Sequence, residues 1–85
     1  LDKKEYDIVG PVCETGDFFG KNRLLSIKNK DLLAILDTGA YGMSMSSNYN
    51  TRPRSVEILV DNEKSHIIRE RETFEHLISG ESILP

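Results

Sequence analysis

The chain has 85 residues, of which 38% are hydrophobic and 29% are charged, and its formal net charge is −3. This length fits one compact domain and leaves little room for the deep cavity of a complete cofactor enzyme. The negative charge argues against a nucleic-acid partner, and the short apolar runs argue against a membrane span.

The cysteine and histidine content argues against a disulfide framework and against a metal site. A single cysteine excludes an internal disulfide framework. The two histidines, His66 and His76, lie apart without metal-ligand spacing, so we expect no metal site and ordinary surface roles for both. The amino-terminal residues lack the apolar core of a signal peptide. A reducing, cytoplasmic setting is therefore expected.

The first half of the chain predicts two extended segments separated by a structured loop. Residues 6–12 indicate an edge strand that ends near Cys13, because the proline in this segment cannot donate to a strand ladder. Turn-forming residues predict a loop over 14–23. The apolar run 31–36 predicts a buried strand that continues to about Tyr41.

The second half predicts a polar loop, a hairpin and a helix. Residues 44–50 are too polar for a core. The alternating segment 56–60 and the extended segment 65–71, joined by a polar turn, predict a β-hairpin. Thr73 is a suitable cap for a short helix that Gly80 ends. Four or five strands and one short C-terminal helix make the expected fold mainly β.

Two segments of this sequence resemble a known enzyme family. Residues 10–17 read Gly-Pro-Val-Cys-Glu-Thr-Gly-Asp, and residues 39–50 read Gly-Ala-Tyr-Gly-Met-Ser-Met-Ser-Ser-Asn-Tyr-Asn, with Arg-Pro-Arg at 52–54. Their order and separation resemble those of the diaminopimelate decarboxylases, which are fold-type III pyridoxal-phosphate enzymes of lysine biosynthesis. Thr15 stands where serine is common in the family, and it keeps the hydroxyl.

The resemblance implies an architecture of two domains. Enzymes of this family have an α/β barrel that holds the cofactor and a smaller Greek-key-like β-barrel domain, as in alanine racemase and ornithine decarboxylase. Residues 1–85 correspond to most of the second domain. The cofactor-binding lysine belongs to the α/β barrel, which is absent here, so we expect the 85-residue chain to be inactive alone.

The resemblance also implies roles for three residues in converting meso-2,6-diaminopimelate to L-lysine and CO2 with pyridoxal phosphate. Cys13 would donate the catalytic proton, because a thiol can protonate the carbon that loses CO2. Glu14 would bind the distal ammonium group of the substrate. Tyr41 would bind the cofactor phosphate and contact the substrate. In the implied homodimer, Cys13 and Glu14 reach the active site of the partner subunit.

Plainer interpretations stand beside these roles. Cys13 could be a buried structural cysteine, Glu14 a solvated loop carboxylate and Tyr41 a core tyrosine. The chain could also belong to a related ornithine, arginine or carboxynorspermidine decarboxylase, or be a non-catalytic β-barrel interaction module. Asp17, Arg52 and Arg54 are expected to hold loops and the subunit contact in place. The other polar residues of the second motif are expected only to shape the interface loop: Ser46, Ser47, Asn48, Tyr49 and Asn50.

Overall fold

The computed structural model describes residues 2–85, and its regular elements within them are four strands and one short helix. The elements are β1 (Lys4–Val9), β2 (Phe18–Leu25), β3 (Glu57–Asp61), β4 (Lys64–Arg69) and α1 (Phe74–Ile78), with a 3-10 turn at Tyr49–Thr51. This arrangement confirms the predicted mainly-β class with a short C-terminal helix.

The first compact unit extends to Met43 and is built on the antiparallel pair β1 and β2. The pairing is irregular, because its register shifts twice after Tyr6. At this irregularity Asn22 adopts a positive φ of 55°, and its backbone N–H donates to Asp7 Oδ1 at 3.0 Å. Asparagine tolerates the left-handed region better than most residues, so this position suits it.

Two boundaries predicted for the first unit are wrong. The first strand ends at Val9 rather than near Cys13, because the backbone N–H of Gly10 donates to the carbonyl of Asp17 and starts the loop there. The predicted loop over 14–23 becomes strand from Phe18 onward, where Phe18 lies opposite Val9. Cross-strand pairing therefore overrides the local turn signals of the sequence.

The predicted strand over residues 31–36 is also wrong for this structure. These residues have no regular secondary structure, and Leu32 is 97% exposed. A strand requires a neighbouring backbone to satisfy its N–H and C=O groups. None of the described strands pairs with this segment. Its apolar composition is compatible with a buried strand once a partner is present.

The second compact unit covers Ser44–Pro85 and contains the hairpin of β3 and β4. Glu57 lies opposite Arg69 at the open end, and Asp61 lies opposite Lys64 at the turn. Asn62, in the turn, has a positive φ of 55°. The predicted hairpin is confirmed, with each strand within two residues of its expected bounds.

Helix α1 follows the hairpin and begins where the sequence predicts. Thr73 caps it, since its side chain accepts a hydrogen bond from the backbone N–H of His76. In return His76 Nδ1 accepts from the backbone N–H of Thr73 at 3.0 Å. His76 is exposed, as expected for a surface residue, and it also completes the cap of the helix. Gly80 follows the helix with a φ of 88°.

Neither hairpin encloses a core within residues 2–85. No hydrophobic side chain there is fully buried. A two-stranded sheet cannot cover its own faces, so these apolar faces need further elements to form a core. Closure of the strands into a barrel stays a prediction. In the same described range, no helix has the length and apolar character required to cross a bilayer.

Candidate active-site loop

Residues 10–17 form the loop between β1 and β2, and hydrogen bonds close it at its base. The backbone N–H of Gly10 donates to the carbonyl of Asp17 at 2.8 Å, and the backbone N–H of Asp17 donates to the carbonyl of Glu14 at 2.9 Å. The Asp17 carboxylate also accepts from the backbone N–H of Val12 at 2.8 Å. The loop is therefore a defined turn rather than a strand extension.

Gly10 lies directly against the Asp17 carboxylate where this loop leaves β1. A Cβ atom added to Gly10 would lie 1.9 Å from Asp17 Oδ1, far inside van der Waals contact. The close approach brings the Asp17 side chain under the backbone that leads to Cys13. The close contact between positions 10 and 17 thus explains why the first sequence motif begins with a glycine and ends with an aspartate.

Cys13 lies at the exposed part of this loop, and its thiol is free. A proton donor that serves a group outside this chain must be accessible, and Cys13 meets that requirement.

Glu14 is exposed as well, and its carboxylate folds back toward its own loop. Its Oε2 atom accepts from the backbone N–H of Gly16 at 2.7 Å, and its Oε1 atom accepts from the Thr15 hydroxyl at 3.4 Å. These contacts hold the carboxylate against the two residues that follow it in the loop. The hydroxyl of Thr15, which the serine common at this position in the family also has, therefore donates to the Glu14 carboxylate.

Cys13 and Glu14 line one open depression of about 430 Å³. Val9, Val12 and Phe18 supply apolar surface to it, and the Lys21 ammonium lies 4.9 Å from the centre of the Phe18 ring. Two of the three predicted site residues are thus brought together. A ligand placed here would meet a thiol and a carboxylate against a partly apolar wall.

Tyr41, the third predicted residue, does not line this depression. It is 69% exposed. The following residue closes a turn, since the backbone N–H of Gly42 donates to the Thr38 carbonyl at 2.8 Å. A Cβ atom on Gly42 would lie 2.6 Å from that carbonyl oxygen, which explains the glycine there. Tyr41 therefore stands on the outside of a tight turn.

The second unit contains a polar network around Arg54 that the sequence predicted only in part. Glu72 Oε1 accepts from the backbone N–H of Arg54 at 2.7 Å and from Asn48 Nδ2 at 2.8 Å. The Arg54 guanidinium donates to Asn48 Oδ1 at 3.1 Å and to Ser46 Oγ at 3.0 Å. Arg54 was expected to hold a loop, but its carboxylate partner was missed. Glu72 sits in an alternating run of charges where nothing distinguishes it from its neighbours.

The hydrogen bond from the Arg54 backbone, followed by that from the Asn48 side chain, lowers the pKa of Glu72 below its ordinary value of 4.5. Partial burial of the carboxylate opposes this effect and does not reverse it. The hydrogen bonds from Arg54 and Asn48 thus favour the charged form of the Glu72 carboxylate. Within residues 2–85, no group of three or more side chains could hold a metal ion.

Comparison with known proteins places this loop in a family. The family model described as "Pyridoxal-dependent decarboxylase, C-terminal sheet domain" matches residues 2–39. The diaminopimelate decarboxylase of Pseudomonas aeruginosa is 57% identical over 82 residues, which cover 96% of this chain. The chain is similar to the C-terminal sheet domain of this decarboxylase family. The resemblance found in the sequence is confirmed.

Other relatives extend the match across distant organisms. The diaminopimelate decarboxylase of Haemophilus influenzae is 55% identical over 98% of the chain, and that of Methanothermobacter thermautotrophicus is 48% identical over 94%. In each case the chain spans only about a fifth of the relative, 20% and 19% respectively. The matched part corresponds to a domain of these enzymes and not to their whole length.

Solved structures support the same assignment. Diaminopimelate decarboxylase from M. jannaschii in complex with L-lysine matches with a TM-score of 0.77 and 38% identity, covering 99% of this chain and 19% of that one. The Helicobacter pylori enzyme complexed with L-lysine matches with a TM-score of 0.77 and 40% identity, covering 92% of this chain and 20% of that one. The fold of the chain is therefore that of the family.

Proposed function

We propose that this chain is the C-terminal domain of a diaminopimelate decarboxylase that converts meso-2,6-diaminopimelate to L-lysine and CO2. One observation carries the proposal: Cys13 and Glu14 are exposed side by side in a hydrogen-bonded loop that lines an open depression. The names of the relatives and the lysine complexes of two structural neighbours support the substrate and product. Residues 1–85 would form one β-barrel domain of a longer polypeptide.

Pyridoxal phosphate is the cofactor that the family implies, and when bound it supplies the electron sink that allows loss of CO2. The residues of this chain fit a supporting role toward it. Tyr41 presents its hydroxyl from the outside of a tight turn, and a phenol donates a hydrogen bond without adding charge. We assign Tyr41 to the cofactor phosphate, and we assign the main binding groups to the α/β barrel of the full-length protein.

Cys13 would act as the general acid of the reaction. The carbon that loses CO2 must receive a proton from a defined side, and the Cys13 thiol can donate it across a short distance. The exposure of the thiol and the apolar wall of its depression suit this role.

Glu14 would recognise the distal ammonium group of diaminopimelate. A carboxylate gives a charge-assisted hydrogen bond to an ammonium, and a substrate that lacks this group would leave the carboxylate unpaired. The contacts from Gly16 and Thr15 orient the carboxylate within the loop that contains Cys13. The two residues would therefore act on opposite ends of one substrate molecule.

The proposal includes a homodimer with shared sites in the cytoplasm. Cys13 and Glu14 would serve the cofactor of the partner subunit, whereas Tyr41 would serve the cofactor of its own subunit. A thiol that donates protons has to stay reduced, and the cytoplasm maintains that state.

Subunit mixing tests both the activity and the sharing. A full-length Cys13→Ala protein is mixed with a full-length variant that lacks the cofactor-binding lysine, and lysine formation is measured. We expect recovery to about a quarter of wild-type activity, because random pairing makes half of the dimers mixed and gives each of these one working site. Absence of recovery would refute sharing. A wild-type protein that forms no lysine from diaminopimelate would refute the proposed reaction itself.

A decarboxylase acting on ornithine, arginine or carboxynorspermidine is the nearest alternative. The proposal favours diaminopimelate because Glu14 follows the cysteine and the curated relatives at 48–57% identity carry that name. Measuring kcat/KM for each substrate with the full-length protein separates these choices. A non-catalytic interaction module would show activity with none of them.

A further inference from the structure

We infer that Asp17 is a positioning residue for Cys13, an inference that rests on the proposed function. Asp17 does not need to touch the substrate to act. Its carboxylate accepts the hydrogen bond of the Val12 backbone N–H at 2.8 Å, and Val12 directly precedes Cys13 in the loop. The orientation of the Pro11–Val12 peptide, one residue before the thiol-bearing residue, is therefore fixed by this side chain.

The backbone of Asp17 closes the loop independently of its side chain. Its carbonyl accepts from the backbone N–H of Gly10, and its own N–H donates to the Glu14 carbonyl. Glu14 is oriented by its separate contact with the Gly16 backbone. Removing the Asp17 carboxylate should thus disturb the segment at Cys13 and leave the loop closure and the Glu14 carboxylate in place.

Gly10 contributes to the same arrangement, because the absence of a side chain there leaves space for the Asp17 carboxylate. All three atoms closest to a Cβ at Gly10 belong to the Asp17 carboxyl group, at 1.9 to 2.3 Å. A methyl group at position 10 would push the carboxylate away from the Val12 N–H. Gly10→Ala should therefore imitate the loss of the Asp17 side chain.

Loss of the Asp17 carboxylate should lower kcat. A displacement of about 1 Å at a reacting group can cost on the order of a hundredfold in rate. Glu14 keeps its contacts, so substrate binding should change little. This pattern differs from that of a general loss of folding, which would lower the amount of active enzyme and be visible in thermal unfolding.

The test uses the full-length enzyme with diaminopimelate and pyridoxal phosphate. We expect Asp17→Ala to lower kcat by roughly tenfold to a hundredfold with KM nearly unchanged. Asp17→Asn should restore most of the rate, because its side-chain oxygen can still accept from the Val12 N–H. Asp31→Ala is the matched control. Asp31 accepts from the Lys28 backbone N–H at 3.0 Å in a loop without proposed site residues, and its removal should leave kcat unchanged.

A double variant keeps the inference testable if one single variant folds poorly. Gly10→Ala alone should lower kcat as Asp17→Ala does. The Gly10→Ala/Asp17→Ala protein should be no slower than Asp17→Ala, because the clashing carboxylate is gone. A multiplicative loss in the double variant would overturn the inference, and so would a wild-type kcat in Asp17→Ala. Both outcomes are measured against an active wild-type enzyme, so they are distinct from failure of the proposed reaction.

Discussion

The carboxylate of Glu72 accepts a hydrogen bond from the backbone N–H of Arg54 at 2.7 Å and lies 3.4 Å from the guanidinium of the same residue. In return the Glu72 backbone N–H donates to the Arg54 carbonyl at 3.1 Å. The two side chains are 25% and 34% exposed, so solvent screens their charge attraction. The backbone hydrogen bond, rather than the ion pair, is the main cause of the lowered Glu72 pKa.

Glu72 should therefore make stability depend on pH in the acid range. Because the folded state holds its pKa below the ordinary 4.5, the charged carboxylate stabilises the fold above that pH, and this contribution is lost as the pH falls through the folded-state pKa. We expect the difference in urea midpoint between wild type and Glu72→Gln to shrink as the pH is lowered below that value. Glu70→Gln is the control and should show no such trend. A difference that is constant with pH would contradict the assignment.

The second unit was predictable because its signals are local. A polar turn between alternating segments gives the hairpin of β3 and β4, and Thr73 with Gly80 gives the ends of α1. The first unit depends on pairing across the eight-residue loop 10–17, which has no short hairpin turn. Nothing near Phe18 in the sequence reveals that it lies opposite Val9, and turn-forming neighbours point to a loop. Residues 31–36 show the same limit, because an apolar run indicates burial but does not identify the strand with which it pairs.

Thr73 should contribute measurably to the order of α1. Its side chain accepts from the His76 backbone N–H at 3.3 Å, and replacing such a cap by alanine typically costs about 1 kcal/mol. We expect Thr73→Ala to speed amide hydrogen exchange at His76 and Leu77 by roughly fivefold. Thr73→Ser, which keeps the hydroxyl oxygen, should exchange like the wild type. Equal exchange in all three proteins would show that the cap contributes nothing.

For the candidate site, the sequence predicted the functional residues, and the structure explained the residues that surround them. The motif predicted Cys13, Glu14 and Tyr41 through resemblance, and all three are exposed. The reason for the motif's outer residues appeared only in three dimensions, where Gly10 makes room for the Asp17 carboxylate. A close approach between a glycine and a carboxyl group leaves no periodic trace in a sequence. Glu72 was missed for the same reason.

Tyr41→Phe should weaken retention of pyridoxal phosphate by the full-length protein. Loss of a hydrogen bond to a charged group costs about 1.5 to 3 kcal/mol, which corresponds to at least a tenfold higher Kd for the cofactor. Titrating the cofactor-free protein with pyridoxal phosphate and following recovered activity measures this change. Tyr6→Phe is the matched control, since it removes a hydroxyl that donates to the Ile27 carbonyl at 3.4 Å. Equal cofactor affinity in wild type and Tyr41→Phe would refute the phosphate contact.

Glu14→Gln should raise KM for diaminopimelate in the full-length enzyme, because the amide keeps the shape of the side chain and loses the charge that we propose pairs with the distal ammonium. A charge-assisted hydrogen bond contributes about 1.5 to 3 kcal/mol, so we expect KM to rise by roughly tenfold to a hundredfold. Initial-rate measurements over a range of substrate concentrations separate this effect from kcat. Glu63→Gln, in the β3–β4 turn, removes one carboxylate outside the depression and should leave both constants unchanged. A fall in kcat at constant KM would instead assign Glu14 to an interaction made only in the transition state.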